Sequence, residues 1–139
     1  MNTVNVRKVE IGKGIPKICV PVVGITRDDI IDAACKAKET ADLVEWRADW
    51  YEDVLDFKKT EKMMEELRET LGDIPLLFTF RTLKEGGEKE IEKSVYVKLN
   101  EMAVKTGFAD LVDAEAFTGT DEVNTIVEKA HLYLSLIHI

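Results

Sequence analysis

Apolar and polar positions change period several times along this chain, and the changes mark its elements. Four short apolar runs, at residues 17–23, 42–49, 75–81 and 109–117, read as strands. Each leads into a segment with helical spacing. After the first, Thr26 and Asp29 are placed as a capping box that opens a helix running to Ala41. After the second, Phe57, Met64, Leu67 and Leu71 share one helical face, and Gly72 follows as a stop. Ile91, Val95, Leu99 and Met102 repeat the pattern before Gly107, as do Val123, Ile126, Val127 and Ala130 after Thr120. Residues 3–11 alternate as an additional N-terminal hairpin strand would.

Strand onsets at 17, 42, 75 and 109 imply a parallel sheet with helical crossovers. Two architectures compete, an open doubly wound sheet and a barrel. Strands of an open parallel sheet are buried on both faces and read as nearly continuous apolar runs. These strands do not. The second places Leu43, Glu45, Arg47 and Asp49 on one face, with Val44, Trp46 and Ala48 on the other. The third sets Leu77, Thr79 and Arg81 against Leu76, Phe78 and Phe80. The fourth sets Leu111, Asp113, Glu115 and Phe117 against Val112, Ala114 and Ala116. Ionisable residues thus crowd one face toward the C-terminal strand ends, which in a barrel form the mouth where active sites lie. The expected fold is α/β, of the (β/α)8 TIM-barrel family. Since such a barrel needs ~250 residues, residues 1–133 are expected to form its N-terminal half: the hairpin strand plus about four βα units.

The 139 residues fit one domain, and at 45% hydrophobic they can build a core. Nineteen basic against 27 acidic residues give a net charge of −8, which disfavours nucleic-acid and membrane partners. The longest apolar run, 18–25, contains Pro21 and Gly24 and is far short of the ~20 residues of a membrane helix. The first ten residues do not form a signal peptide, so a cytoplasmic location is expected, and Cys19 and Cys35 read as small buried hydrophobes. His131 and His138 are the only histidines and no Cys-x-x-Cys occurs, so no metal cluster is expected. Neither a nucleophile-elbow turn nor a glycine-rich phosphate loop is present.

Three groups remain as candidate chemistry. Glu45, Arg47 and Asp49 form an inward ridge whose guanidinium fork suits a carboxylate or hydroxyl; a purely structural ion-pair network is the competing reading. Arg81 closes the third strand, and the turn allowed by Gly86-Gly87 could fold Glu85 over the pocket; a solvated charged loop is the alternative. Asp113 and Glu115 are either acid–base groups or orienting partners for a neighbouring Lys or Arg.

These motifs resemble the type I 3-dehydroquinate dehydratase family. Four stretches carry the resemblance, in the family's order and spacing, from residue 3 to about 131. They are Pro16-Lys17-Ile18-Cys19-Val20-Pro21, Glu45-Trp46-Arg47-Ala48-Asp49, Phe78-Thr79-Phe80-Arg81-Thr82 with Glu85-Gly86-Gly87-Glu88, and Asp113-Ala114-Glu115-Ala116-Phe117. The resemblance implies a barrel lyase of the shikimate pathway that dehydrates 3-dehydroquinate to 3-dehydroshikimate through a lysine imine, with a shuttling histidine and no metal or cofactor. It implies that Glu45, Arg47 and Arg81 hold the substrate and that Glu85 assists the histidine. A small-molecule substrate would be the partner, and a homodimer is the candidate assembly of the parent.

Three departures stand out. Pro21 occupies a position where some relatives offer a serine hydroxyl, and Ala114 replaces a bulkier aliphatic residue. The family's histidine and imine-forming lysine both fall beyond residue 139, so the chain alone is expected to be inactive. Residues 132–139 are apolar and β-prone where a fifth strand is due, which makes His138 a superficial match for the shuttle. Yet Leu134-Ser135-Leu136-Ile137-His138-Ile139 is also the translation of CTG TCT CTT ATA CAC ATC, the end of a transposase sequencing adapter. Residues 134–139 are therefore expected to be an adapter-derived tail. Two other functions remain open: a non-catalytic half-barrel that binds small carboxylates or self-associates, and another imine-forming barrel of the class I aldolase type.

Overall fold

The computed structural model describes residues 2–133 and 136–138. The chain opens with an antiparallel hairpin, β1 (Val4–Val6) and β2 (Val9–Ile11), whose last pair is Val6 with Val9. Arg7 takes a positive φ of 52° in its tight turn. Four βα units follow: β3 (Cys19–Val22) with α1 (Arg27–Ala37), β4 (Leu43–Arg47) with α2 (Phe57–Leu71), β5 (Leu76–Thr79) with α3 (Lys93–Thr106), and β6 (Leu111–Asp113) with α4 (Thr120–Leu132). A fifth strand, β7 (Leu136–His138), completes the sheet.

The sheet order is β3-β4-β5-β6-β7, and every pairing is parallel. Each strand therefore lies beside its successor, without the reversal of strand order that defines a doubly wound sheet. One core holds Val22, Val44, Trp46, Phe78 and Val112 from the strands and Phe80 just after β5, together with apolar residues of all four helices. The helices cover the face that carries these residues, and the charged positions occupy the other. One-sided cover is the geometry of a barrel wall.

Local chemistry sets the element ends. Thr26 and Asp29 make the capping box, Thr26 accepting the Asp29 amide and Asp29 the Thr26 amide. Asp56 caps α2 by accepting the Lys59 amide. Gly107 ends α3 in the left-handed region at φ 71°, which a side chain would resist. Trp46 packs edge-on against Phe78, with ring centroids 5.7 Å apart.

The hairpin is held to the N-terminal ends of the strands. Arg7 Nε donates to Asp110 Oδ1 at 2.8 Å, and Arg68 Nη1 donates to Asp110 Oδ2 at 2.9 Å. The Leu76 amide shares that second oxygen. Arg68 also donates to the Gly72 and Ile74 carbonyls, so one half-buried guanidinium closes the end of α2 over β5 and β6. Neither Arg68 nor Asp110 was singled out from the sequence, because nothing local brings the last turn of α2 beside the residue preceding β6.

Several expectations need correction. The strands are shorter than their apolar runs, since each gives way to a 3-10 turn or loop at the mouth. Asp49 lies in the turn Ala48–Trp50, and Phe117 lies in the turn Ala116–Thr118, where it is 91% exposed. On α3 the buried stripe is Tyr96, Leu99, Asn100, Ala103 and Val104; Val95 and Met102 flank it, and Ile91 precedes the helix. Helix α1 ends at Ala37 rather than Ala41. Cys19 and Cys35 are free and exposed, against the buried reading. Cys19 sits on an edge strand of the sheet, on the face away from the helices, and Cys35 lies off the Ile30, Ala34, Ala37 stripe that buries α1.

Leu136–His138 takes the fifth-strand position, with Asp113 in register with His138. A short β-prone segment can pair with an open parallel edge whatever its origin, so this pairing does not decide whether residues 134–139 derive from an adapter. Residues 134, 135 and 139 of that tail lie outside the described residues.

Candidate active site

At the C-terminal ends of β4, β5 and β6, the face opposite the helices gathers the charges that the alternation placed there. Glu45 and Arg47 project from β4, and Arg47 is in register with Thr79 on β5. Both are partly buried. The Arg47 guanidinium binds Asp49 through two parallel bonds, Nε to Oδ1 at 2.9 Å and Nη2 to Oδ2 at 2.8 Å. Its hydrogen bond to Asp49 holds Arg47 above its ordinary pKa; burial opposes this, and Glu45 and Glu88 add charge attraction. Although Cys19 is exposed at the surface, partial desolvation of its thiol by the neighbouring strand, seconded by the Glu45 charge, raises its pKa and disfavours the thiolate.

Arg81 follows β5. Its Nη2 donates to Asp113 Oδ2 at 2.9 Å and its Nη1 to Glu115 Oε1 at 3.4 Å. Glu115 also accepts the Thr82 amide and hydroxyl, each at 2.8 Å. Both carboxylates are buried, and their donors offset the cost of desolvating charge. Of the two roles left open for Asp113 and Glu115, this geometry is that of orienting partners for an arginine.

Behind them stands Tyr96, which the sequence reading missed. Its hydroxyl accepts the Glu115 amide at 3.0 Å and donates to the Asp113 carbonyl at 3.3 Å. Burial, the largest cause, pushes its pKa up to about 12. A tyrosine on the buried stripe of α3 was the available signal, because a buried phenol needs a polar partner.

Glu85 ends the 3-10 turn Leu83–Glu85, where its amide donates to the Thr82 carbonyl, and its exposed carboxylate makes no hydrogen bond or ion pair among the described residues. Gly86, at φ 87°, turns the chain, and Gly87 then passes so close to the backbone after β5 that a Cβ there would lie 1.8 Å from the Arg81 carbonyl oxygen. Glu85 borders a cavity of about 440 Å³ between this loop, the start of α3 and the turn after β6, shared with Thr82, Lys93, Tyr96, Glu115 and Phe117. Glu45, Arg47 and Arg81 do not line that cavity. The structure therefore links Arg47 with Arg81 through Asp49, and Arg81 with Glu115, while Glu85 stands on the adjoining loop.

Among the described residues, no group of three or more His, Cys, Asp or Glu side chains is placed to hold a metal ion. Nor is any of their helices long and apolar enough to cross a membrane. The arrangement can orient two guanidinium groups beside carboxylates at the mouth of a parallel barrel wall, which suits a small anion bearing hydroxyls.

The chain is 53% identical over 129 residues to the 3-dehydroquinate dehydratase of Clostridium botulinum strain Eklund 17B, covering 92% of this chain and 51% of that protein. A solved type I 3-dehydroquinate dehydratase from Clostridium difficile, bearing covalently modified comenic acid, superposes with a TM-score of 0.96 at 42% identity over 98% of this chain and 54% of that one. The enzyme from Enterococcus faecalis gives 0.91 at 43% identity, over 96% and 56%. The chain thus spans about half the length of the relatives it matches, and its sheet and helices correspond to half of their TIM barrel. A model of type I 3-dehydroquinase matches residues 18–138, a span that holds every charged residue at the strand ends described above, and the chain belongs to that family.

Proposed function

We propose that this chain is the substrate-binding half of a lyase that dehydrates 3-dehydroquinate to 3-dehydroshikimate. The observation that carries the reading is the pair of arginines, Arg47 and Arg81, each fixed by carboxylates at the ends of adjacent parallel strands. Arg47, Arg81 and Glu45 hold the substrate's carboxylate and hydroxyl groups, since planar guanidinium forks and a carboxylate acceptor match those groups. Glu85 supports the shuttling histidine. A cytoplasmic setting belongs to the same proposal.

In the proposed reaction a lysine amine condenses with the ring ketone and expels water, forming an imine whose nitrogen draws electrons from the neighbouring C–H bond. Histidine takes that proton and later protonates the departing hydroxyl, which leaves as water; hydrolysis of the product imine then consumes one water and frees the ketone and the lysine, so the net loss is one water. Residues 1–139 offer the binding groups, whereas the lysine and histidine have no counterpart in them. Residues that act as a unit fail together, so the 139-residue polypeptide is inactive alone.

The test starts by reading the parent DNA past the Tyr133 codon with an adapter-free method. A frame continuing to a strand-borne His and then a strand-borne Lys is expected, and its full-length product should turn over 3-dehydroquinate and, after borohydride reduction, carry on that Lys the mass of the bound ketone less one water plus two hydrogens. A full-length product without turnover overturns the assignment. Turnover by the purified 139-residue chain overturns its inactivity. Six tail codons followed by a stop in source DNA would instead make the chain a half-barrel binding module.

A further inference from the structure

We propose that Asp49 is a positioning residue, one that sets the plane of the Arg47 guanidinium and anchors the loop carrying Glu85. The inference rests on the substrate reading of Arg47 given above. By sequence alone Asp49 is a third charged residue on the inward ridge, as available to a ligand as Glu45. Its geometry assigns it a different task. It is 0% exposed, and both of its oxygens are fully engaged. Oδ1 accepts Arg47 Nε at 2.9 Å and the Arg81 amide at 3.3 Å. Oδ2 accepts Arg47 Nη2 at 2.8 Å and the Glu88 amide at 3.2 Å. An ionised carboxylate offers about four acceptor sites, and four donors occupy them. No site remains for a substrate hydroxyl, and removing a proton from substrate would break one of these bonds.

The donors come from three separate places: the end of β4, the residue after Phe80, and the far side of the Gly86-Gly87 turn. The Asp49 carbonyl adds a further tie by accepting Lys89 Nζ at 2.6 Å, and the same ammonium donates to the Tyr51 carbonyl at 3.0 Å. Asp49 and Lys89 therefore fasten the 82–89 loop to the turn that follows β4. Gly87 lets that loop lie against the Arg81 carbonyl.

The effect on Arg47 is specific. A guanidinium has five N–H donors in one plane. Asp49 takes two along one edge, which fixes the orientation of the three that remain. A bidentate pair constrains rotation that a single bond would leave free.

The test compares wild type with Asp49→Asn in the full-length enzyme. The amide keeps the shape of the carboxylate and loses its charge and one acceptor. Losing a charge-assisted bidentate bond is expected to raise KM for 3-dehydroquinate about tenfold or more. A merely structural role would lower the melting temperature and the active fraction, hence the apparent kcat, at unchanged KM. In a double-mutant cycle, Asp49→Asn added to Arg47→Lys should raise KM by much less than it does alone, because the fork it orients is gone. An unchanged KM, or additive effects in the cycle, overturns the proposal. Should Asp49→Asn fail to fold, Asp49→Glu, which keeps the buried charge but displaces it, is read by the same KM criterion.

One readout needs no turnover, and so separates this inference from the dehydratase reading. Hydrogen exchange at the Arg81 and Glu88 amides should accelerate at least tenfold in the folded Asp49→Asn variant relative to neighbouring sheet amides. Unaltered exchange overturns the anchoring role, even in an enzyme that proves to be a dehydratase. If wild type turns over no 3-dehydroquinate, the functional reading falls, and the exchange rates still decide what Asp49 does.

Discussion

Arg81 reaches from the end of β5 to Asp113 on β6, with Nη2 2.9 Å from Oδ2, and the same guanidinium faces Glu115. A residue proposed to meet an anionic substrate is thus already aimed by two buried carboxylates. Arginine held this way keeps its orientation without a ligand, so less conformational entropy is lost on binding.

Replacing Arg81 with Met should therefore cost stability as well as binding. Removing a cation from beside buried carboxylates destabilises by roughly 3 kcal/mol, while the Thr82 donors to Glu115 remain. Urea unfolding at fixed protein concentration reads the loss. A change below about 0.5 kcal/mol, the usual scale of surface substitutions, would mean that solvent already satisfies these groups.

Tyr96 predicts a pH dependence with a definite sign. Its pKa is about 12 in the folded chain against an ordinary value of 10. Between those values the unfolded state has released the proton while the folded state retains it. Stability is then fully present below pH 10 and falls as pH rises toward 12, by on the order of 2 kcal/mol. Tyr96→Phe should flatten that part of the stability–pH curve. It should also cost about 1–3 kcal/mol at neutral pH, because the Glu115 amide loses its buried acceptor. An unaltered alkaline slope in the variant would exclude Tyr96 as its source.

At the opposite end of the strands, Asp110→Ala should release Arg7, Arg68 and the Leu76 amide together. The expected loss is about 3 kcal/mol. Limited proteolysis should cut the N-terminal hairpin before the rest of the chain, since its remaining ion pairs, Arg7 and Lys8 with Asp73, both rest on an exposed carboxylate. Simultaneous cleavage throughout would show that the hairpin gains nothing from Asp110.

Gly87→Ala tests the close approach of the loop to the Arg81 backbone after β5. A methyl group 1.8 Å from the Arg81 carbonyl oxygen cannot be accommodated without moving backbone. The expected cost is about 1–3 kcal/mol, with faster exchange at the Glu88 amide as the loop lifts from Asp49. A melting temperature equal to wild type would count against this packing.

The sheet predicts how the isolated 139-residue chain behaves. Edge strand β3 and its neighbouring residues leave Ile18 at 57% and Ile25 at 54% exposure. Unpaired strand edges beside apolar surface promote association. Sedimentation velocity should show species larger than monomer that dissociate on dilution. A single monomeric boundary at high concentration would show that the edge is protected.

Much of this protein is written in its periodicities. The two-residue alternation in β4 put Glu45 and Arg47 on one face and Trp46 on the other, because side-chain direction in a strand depends only on position. The order of strands and helices fixed parallel pairing, and the capping box at Thr26 was local enough to be read directly. The family resemblance lay in the same short strings. Tertiary structure decided what position along a strand could not. It showed that Asp49 leaves the strand and faces donors from β4, Arg81 and Glu88. It also showed that Arg81 meets Asp113 and Glu115, that Asp110 joins α2 to the hairpin, and that Cys19 lies exposed on an edge. Burial and ion pairing depend on where the ends of different strands come to lie. That placement follows from packing of the whole wall, so no local pattern encodes it.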